Sequence, residues 1–110
     1  MKKSVLFICA DQWRWDCFGF MKHKNAITPN IDKLAKQSTV FTSHFTGIVP
    51  CGPARATMLT GLYPFIHRSV TNGAPLDKRF TNIAKEARSI GYDPKLYGYT
   101  DTTWDPRYLD

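Results

Sequence analysis

Residues Cys51 to Gly61 read CGPARATMLTG and carry strong helix signals at both ends. Pro53 suits the first turn of a helix, because its ring fixes φ and its missing N–H would have no helical partner there. Gly61 suits the left-handed position at which many helices end. The sequence therefore predicts a helix of about two turns over Pro53–Thr60, with Cys51 just before its N-terminus.

Cys51 is predicted to lie where free backbone N–H groups and the positive end of a helix dipole converge. Such a position favours a thiolate over a thiol and suits a tetrahedral oxyanion. Arg55 follows one turn later on the same side, where a fixed cation could hold the group that position 51 carries. An inert core cysteine is the common alternative, but C-x-P-x-R followed by T-G arises rarely by chance. We therefore expect Cys51 and Arg55 to be catalytic.

Upstream of this motif lies a continuous apolar run, VLFICA at residues 5–10, which Asp11 ends. A run without polar alternation is typical of a strand covered on both faces in a parallel sheet. Ligands of open α/β sheets bind outside the carboxyl ends of the strands. Asp11 is therefore a candidate site residue.

Further helices and strands are predicted on both sides of the motif. TPNIDKLAKQS at residues 28–38 predicts a helix capped by Thr28, and a second helix is expected from Thr81 to a stop at Gly91. VFTSHF at 40–45 and KLYGY at 95–99 are predicted strands. The order favours an α/β fold with a mostly parallel sheet and flanking helices. With 110 residues, of which 43% are hydrophobic, we expect one unit over residues 1–110 or a piece of a larger domain.

Charge, cysteine content and hydropathy indicate which classes of partner are not expected. The net charge of +6 comes from scattered basic residues, so a nucleic-acid partner is not expected. Cys9, Cys17 and Cys51 form no C-x-x-C pair, which favours reduced thiols. No segment has the length and hydropathy of a membrane span, and the short apolar run at residues 5–10 does not fit a signal peptide. These features predict a cytoplasmic protein without a membrane partner.

Cys51, Pro53, Arg55, Leu59, Thr60 and Gly61 resemble the signature of the sulfatase family in the alkaline phosphatase superfamily. The strand ending at Asp11, the TPNIDKLA segment and VFTSHFTGIVPCGPAR also look like the N-terminal region of that family. The resemblance implies an alkaline-phosphatase-like fold, of which this chain would be the N-terminal portion. It also implies metal-dependent hydrolysis of sulfate esters or of phosphonate and phosphate esters.

The same resemblance implies an unusual nucleophile at position 51. A separate formylglycine-generating maturation enzyme would oxidise Cys51, and one hydroxyl of the hydrated aldehyde would attack while the other later expels the bound group. Asp11 and position 51 would be ligands of one divalent metal. Oxygen ligands favour calcium or manganese, with magnesium, iron and zinc left open.

Substrate-binding residues are suggested by the resemblance to one branch of the family. The Asp11-Gln12 pair looks like that of phosphonate monoester hydrolases and choline sulfatases, and GYTDTTWDPR at residues 98–107 resembles the former. This implies substrate contacts from Gln12, Asn72, Tyr99 and Thr100, although an Asn72-Gly73 turn explains Asn72 equally well. His67 lies in a plausible loop for an acid or base, yet a core or surface role is more common for a lone histidine.

Family members are several times longer than this chain, and their remaining metal ligands come from later segments. We therefore expect residues 1–110 alone to be inactive, and either an oligomer or a C-terminal portion to complete the fold. The alternative is a non-catalytic remnant that binds an anion or a partner chain. The sequence leaves open the choice between sulfate and phosphonate esters, since both present tetrahedral oxyanions.

Overall fold

The computed structural model describes residues 3–103, and the chain divides into two units with the boundary in sequence between Ser43 and His44. One unit therefore covers residues 3–43 and the other residues 44–103. None of the helices within residues 3–103 has both the length and the hydropathy needed to cross a bilayer. All three cysteines are free thiols, as predicted.

The unit of residues 3–43 is organised around Asp32 in helix α1, which runs over Pro29–Lys36. A short 3-10 turn over Gly19–Met21 packs against this helix. The Phe20 N–H donates to Asp32 Oδ1 at 2.9 Å, and the Thr28 hydroxyl donates to the same oxygen at 2.7 Å. The Gly19 N–H donates to Thr28 Oγ1 at 2.8 Å. Thr28 is thus the N-cap residue that the sequence predicts, but its hydroxyl joins the two elements instead of bonding an amide of α1.

The unit of residues 44–103 contains three helices. Helix α2 covers Cys51–Thr60, α3 covers Pro64–His67 and α4 covers Ile83–Ser89, and α2 packs against both of the others. Gly61 ends α2 with φ of 70°, which confirms the predicted left-handed stop. At the start of α4 the Asn82 side chain accepts hydrogen bonds from the Ala84 and Lys85 N–H groups.

A small, partly polar core lies between α2 and α3. Ala56 is fully buried, and His67 is only 2% exposed. The Ser69 N–H donates to His67 Nδ1 at 3.1 Å, which fixes the other ring nitrogen as the donor to Thr57 Oγ1 at 3.0 Å. His67 therefore connects α2 to α3 and to the loop that follows.

The predicted sheet is not confirmed, because residues 3–103 contain no strand. Instead of being covered on both faces, the run at residues 5–10 has exposed side chains, including Leu6 at 84% and Ile8 at 78%. A strand is defined by its hydrogen bonds to a neighbouring strand. The segments at 40–45 and 95–99 form no such ladder in the part of the chain that the structure describes.

The predicted helices are confirmed in place but not in every boundary. Helix α2 begins at Cys51, two residues before the predicted start at Pro53, so Cys51 is the first residue of the helix and Pro50 is its N-cap. Helix α4 begins at Ile83 and not at Thr81, because Asn82 supplies the cap. Leu34 in α1 is 61% exposed.

Candidate active site

Backbone N–H groups next to position 51, in the first turn of α2, already donate hydrogen bonds within the protein. The Gly52 N–H donates to Asn72 Oδ1 at 2.9 Å, and the Ala54 N–H donates to the Pro50 carbonyl at 2.9 Å. Pro53 has no N–H. The predicted array of free amides is therefore wrong at these three positions, which leaves the helix dipole and side chains as further sources of attraction for an anion beside Cys51.

Asn72 reaches α2 from a turn, since the Ala74 N–H donates to the Thr71 carbonyl and Gly73 has φ of 75°. The predicted Asn-Gly turn is confirmed. The side-chain oxygen of Asn72 serves the helix start, which leaves its NH₂ group as the part that can face a substrate. Asn72 is thus beside the candidate nucleophile, as a site role requires.

Arg55 lies one turn beyond Cys51, and its guanidinium carbon is 4.6 Å from the centroid of the Tyr99 ring. Stacking of this kind is favourable and limits the orientations of the arginine. Thr100, the neighbour of Tyr99, accepts a hydrogen bond from the Thr102 hydroxyl at 2.9 Å. The structure therefore brings Cys51, Arg55, Asn72 and Tyr99 together around α2.

Asp101, for which the sequence predicts no role, also lies at the start of α2. A Cβ atom on Gly52 would lie 2.8 Å from Asp101 Oδ2, 3.3 Å from the Asp101 carbonyl and 3.4 Å from the Asn72 Cα. Only glycine fits this close approach without a shift of its neighbours. The signals for this contact are the glycine after Cys51 and the polar run TDTT at residues 100–103.

Asp11 and Gln12, the other predicted site residues, lie in the unit of residues 3–43. Gln12 has φ of 52°, so the chain turns directly after the predicted metal ligand. Within residues 3–103 no group of three or more His, Cys, Asp or Glu side chains forms a metal-binding cluster. The described residues alone do not make a metal site, and the pairing of Asp11 with Cys51 stays a prediction.

His67 does not fit the role of general acid or base. Both of its ring nitrogens are engaged, and burial lowers the pKa of its imidazole from the ordinary 6.5. Its Nδ1 accepts from a backbone amide and its Nε2 donates to Thr57, so proton exchange would break the connection between α2 and α3. His67 is therefore a structural residue of the small core.

A family model described as Sulfatase matches residues 3–108, nearly the whole chain. The chain belongs to the sulfatase family. The matched range includes both the segment before Asp11 and the helix that carries Cys51, in agreement with the resemblance noted from the sequence.

The relatives of this sulfatase-family chain are hydrolases. The multifunctional alkaline phosphatase superfamily protein PehA of Trinickia caryophylli is 50% identical over 96% of this chain and 22% of its own length. An ulvan-active sulfatase of Formosa agariphila is 32% identical over 99% of this chain and 20% of its own length.

Solved structures of two phosphonate monoester hydrolases are also similar. The Agrobacterium radiobacter enzyme is 55% identical with a TM-score of 0.82 over 92% of this chain and 20% of that one. SpPMH from Silicibacter pomeroyi is 46% identical with a TM-score of 0.87 over 99% of this chain and 22% of that one. The present chain thus spans about a fifth of the length of the relatives it matches, and its structural neighbours are alkaline-phosphatase-like hydrolases. The end of GYTDTTWDPR, from residue 104, lies outside the described residues.

Proposed function

We propose that this chain carries the nucleophile of a formylglycine-dependent hydrolase of sulfate esters or of phosphonate and phosphate esters. One observation carries the proposal: in a sulfatase-family chain, Cys51 is the first residue of α2, with Arg55 one turn later. When formed, the formylglycine hydrate would supply a hydroxyl nucleophile together with a second hydroxyl for release of the bound group.

The residues around α2 have separate roles in this proposal. Position 51 receives the dipole of a ten-residue helix, which favours a tetrahedral anion at its N-terminus. Arg55 supplies a positive charge to an oxygen of the substrate, and the Tyr99 ring limits how far the guanidinium can turn. Asn72 offers its NH₂ group, while Gln12 and Thr100 stay predicted substrate contacts.

We infer that Asp11 contributes one carboxylate to a divalent metal site that also uses position 51. The described residues include too few ligands for such a site, so the remaining ligands must come from elsewhere in the assembled enzyme. Oxygen ligands favour calcium or manganese, with magnesium, iron and zinc as competitors. Residues 1–110 alone are expected to show no turnover, because an incomplete ligand set binds metal weakly. A maturation enzyme as partner and a cytoplasmic location stay predictions.

Phosphonate monoesters are the favoured substrates, because two similar solved structures are those of phosphonate monoester hydrolases. Sulfate esters remain the competing class, since several relatives are sulfatases by name. A mechanism that begins at a tetrahedral oxyanion serves both classes.

The test is an activity assay on paired aryl sulfate and aryl phosphonate monoester substrates. It uses the longest natural polypeptide that contains this sequence, produced together with a formylglycine-generating enzyme and supplied with manganese or calcium. We expect turnover of at least one substrate and its loss in Cys51→Ala, whereas Cys17→Ala leaves it unchanged. Equal turnover by Cys51→Ala and the unchanged protein would disprove the proposal.

A non-catalytic role in binding a partner chain is the second candidate, and the exposed apolar side chains at residues 5–8 favour it. In that case the matured polypeptide would hydrolyse neither substrate, with or without metal. The same activity assay therefore separates the two candidates.

A further inference from the structure

A carboxylate lies beside the first turn of the helix that carries Cys51. Asp101 Oδ2 lies 2.8 Å from the position that a Gly52 Cβ would occupy. Since consecutive Cα atoms are about 3.8 Å apart, this oxygen is within roughly 8 Å of the Cys51 Cα. Charges at such a separation interact appreciably where the surroundings exclude part of the solvent.

The backbone holds Asp101 at this place. Asp101 has φ of 58°, a left-handed conformation that few residues other than Gly, Asn and Asp adopt readily. The next residue, Thr102, is buried, and its carbonyl accepts the Leu76 N–H at 2.8 Å. The Thr102 hydroxyl donates to Thr100. The backbone that follows Asp101 is therefore anchored at Thr102, and the carboxylate lies beside the helix start.

The Asp101 carboxylate has no ion pair within residues 3–103 that would neutralise it. Its negative charge opposes the positive helix end and Arg55, both of which attract anions. The Asp101 carboxylate repels anionic substrates to different extents, because the repulsion is proportional to the charge of the substrate. A dianion is penalised about twice as much as a monoanion at the same place.

We propose that Asp101 is a specificity-determining residue that disfavours dianionic substrates relative to monoanionic ones at position 51. At neutral pH, sulfate esters and phosphonate monoesters are monoanions, whereas phosphate monoesters approach a charge of about −2. The identity of these substrates rests on the proposed function, but the electrostatic effect of Asp101 on position 51 does not.

The first test measures that effect without any turnover. In protein that keeps the unmodified thiol, Cys51 is alkylated by anionic iodoacetate and by neutral iodoacetamide, and peptide mass spectrometry gives the rate at each cysteine. Asp101→Asn removes the charge with nearly the same shape, and asparagine tolerates the left-handed backbone. We expect the iodoacetate-to-iodoacetamide ratio at Cys51 to rise roughly threefold to tenfold in this variant. The ratio at Cys9 is expected to stay unchanged.

The matched control is Asp93→Asn, which removes an exposed carboxylate that pairs with Lys95 at 2.8 Å. This control should leave the ratio at Cys51 unchanged. An unchanged ratio at Cys51 in Asp101→Asn, or an equal rise at Cys9, would overturn the proposal. This result is independent of whether the protein is an esterase.

The second test uses the matured enzyme with an aryl phosphate dianion and an aryl phosphonate monoanion. Asp101→Asn should raise kcat/KM for the phosphate relative to the phosphonate by roughly threefold to tenfold, and Asp93→Asn should not. A purely structural role would lower both values together and would contradict the proposal. Absence of all turnover in the unchanged protein would instead count against the proposed function, while the alkylation ratio would still decide the role of Asp101.

Discussion

Gly52 is the residue at which the start of α2 is determined. Its amide donates to Asn72 Oδ1, and its missing side chain leaves room for Asp101. Because Gly52 adjoins Cys51, a shift of its backbone would move the candidate nucleophile. Replacement of Asn72 or Asp101 is therefore expected to shift the backbone at Gly52 and with it the side chain at position 51.

Replacement of Asn72 by alanine removes the acceptor of the Gly52 amide. We expect Asn72→Ala to lower the free energy of unfolding by about 1 kcal/mol, the usual effect of losing a helix-start acceptor. Hydrogen exchange measured by NMR should show faster exchange of the Gly52 amide. Asn72→Asp retains an acceptor oxygen and should keep the amide protected, as should the control Asn25→Ala. Unchanged exchange in Asn72→Ala would contradict this assignment.

His67 predicts a dependence of stability on pH. Burial lowers the pKa of its imidazole from the ordinary 6.5, so the unfolded chain takes up a proton at this residue before the folded chain does. The free energy of unfolding should therefore fall as the pH drops below about 6.5 and stop falling below the folded pKa. Urea titrations between pH 8 and pH 4, each at about 25 °C, measure this dependence.

The control for this prediction is His67→Asn, whose side-chain oxygen can still accept from Ser69. The variant should be less stable at pH 8, because the hydrogen bond to Thr57 is lost, but it should depend less on pH between 6.5 and 4. An identical pH dependence in both proteins would show that His67 does not cause it.

Among the elements of the fold, the contact between the 3-10 turn and α1 depends on Gly19. A Cβ atom on Gly19 would collide with the Asp32 carboxylate, which accepts hydrogen bonds from Phe20 and Thr28. Gly19→Ala should displace this carboxylate and lower the free energy of unfolding by about 1–2 kcal/mol. Gly47→Ala is the matched control, since its Cβ would make only ordinary contacts at 3.8 Å. Equal stability of the two variants, measured by urea denaturation, would argue against the contact.

Helices were more predictable than strands because their signals are local. Pro53 and Pro29 indicate the starts of α2 and α1, because proline fixes its own φ. Gly61 indicates the end of α2, because glycine readily adopts the left-handed conformation there. The start of α2 was misplaced because proline is tolerated throughout the first turn and does not mark its first residue. The apolar run at residues 5–10 has no such local signal, because a strand forms only when it pairs with another segment that is distant in sequence.

The part of the candidate site that lies in the Cys51–Gly61 motif is predictable from the sequence, because this motif also forms helix α2. Of the predicted site residues, Cys51 and Arg55 lie on α2, and Asn72 and Tyr99 lie against it. The place of Asp101 does not follow from the sequence, because it depends on a left-handed backbone and on the glycine that the residue faces. The sequence shows the glycine and the TDTT run, but not that the two come together in the fold.

Large apolar side chains are exposed near the N-terminus, at Val5, Leu6, Phe7 and Ile8. Apolar surface of this kind favours association with other apolar surface. We expect the 110-residue chain to bind an apolar dye and to elute in size-exclusion chromatography as a species larger than its 12.6 kDa monomer. The double variant Leu6→Ser, Ile8→Ser should bind less dye, and the control Ser38→Ala should not differ. A monomer without dye binding would contradict the exposure of this segment.

Peptide mass spectrometry of protein produced together with a formylglycine-generating enzyme shows whether position 51 supplies the nucleophile. We expect formylglycine at residue 51, with Cys9 and Cys17 remaining as thiols. Cysteine that persists at position 51, while a known sulfatase is converted in the same cells, would contradict it.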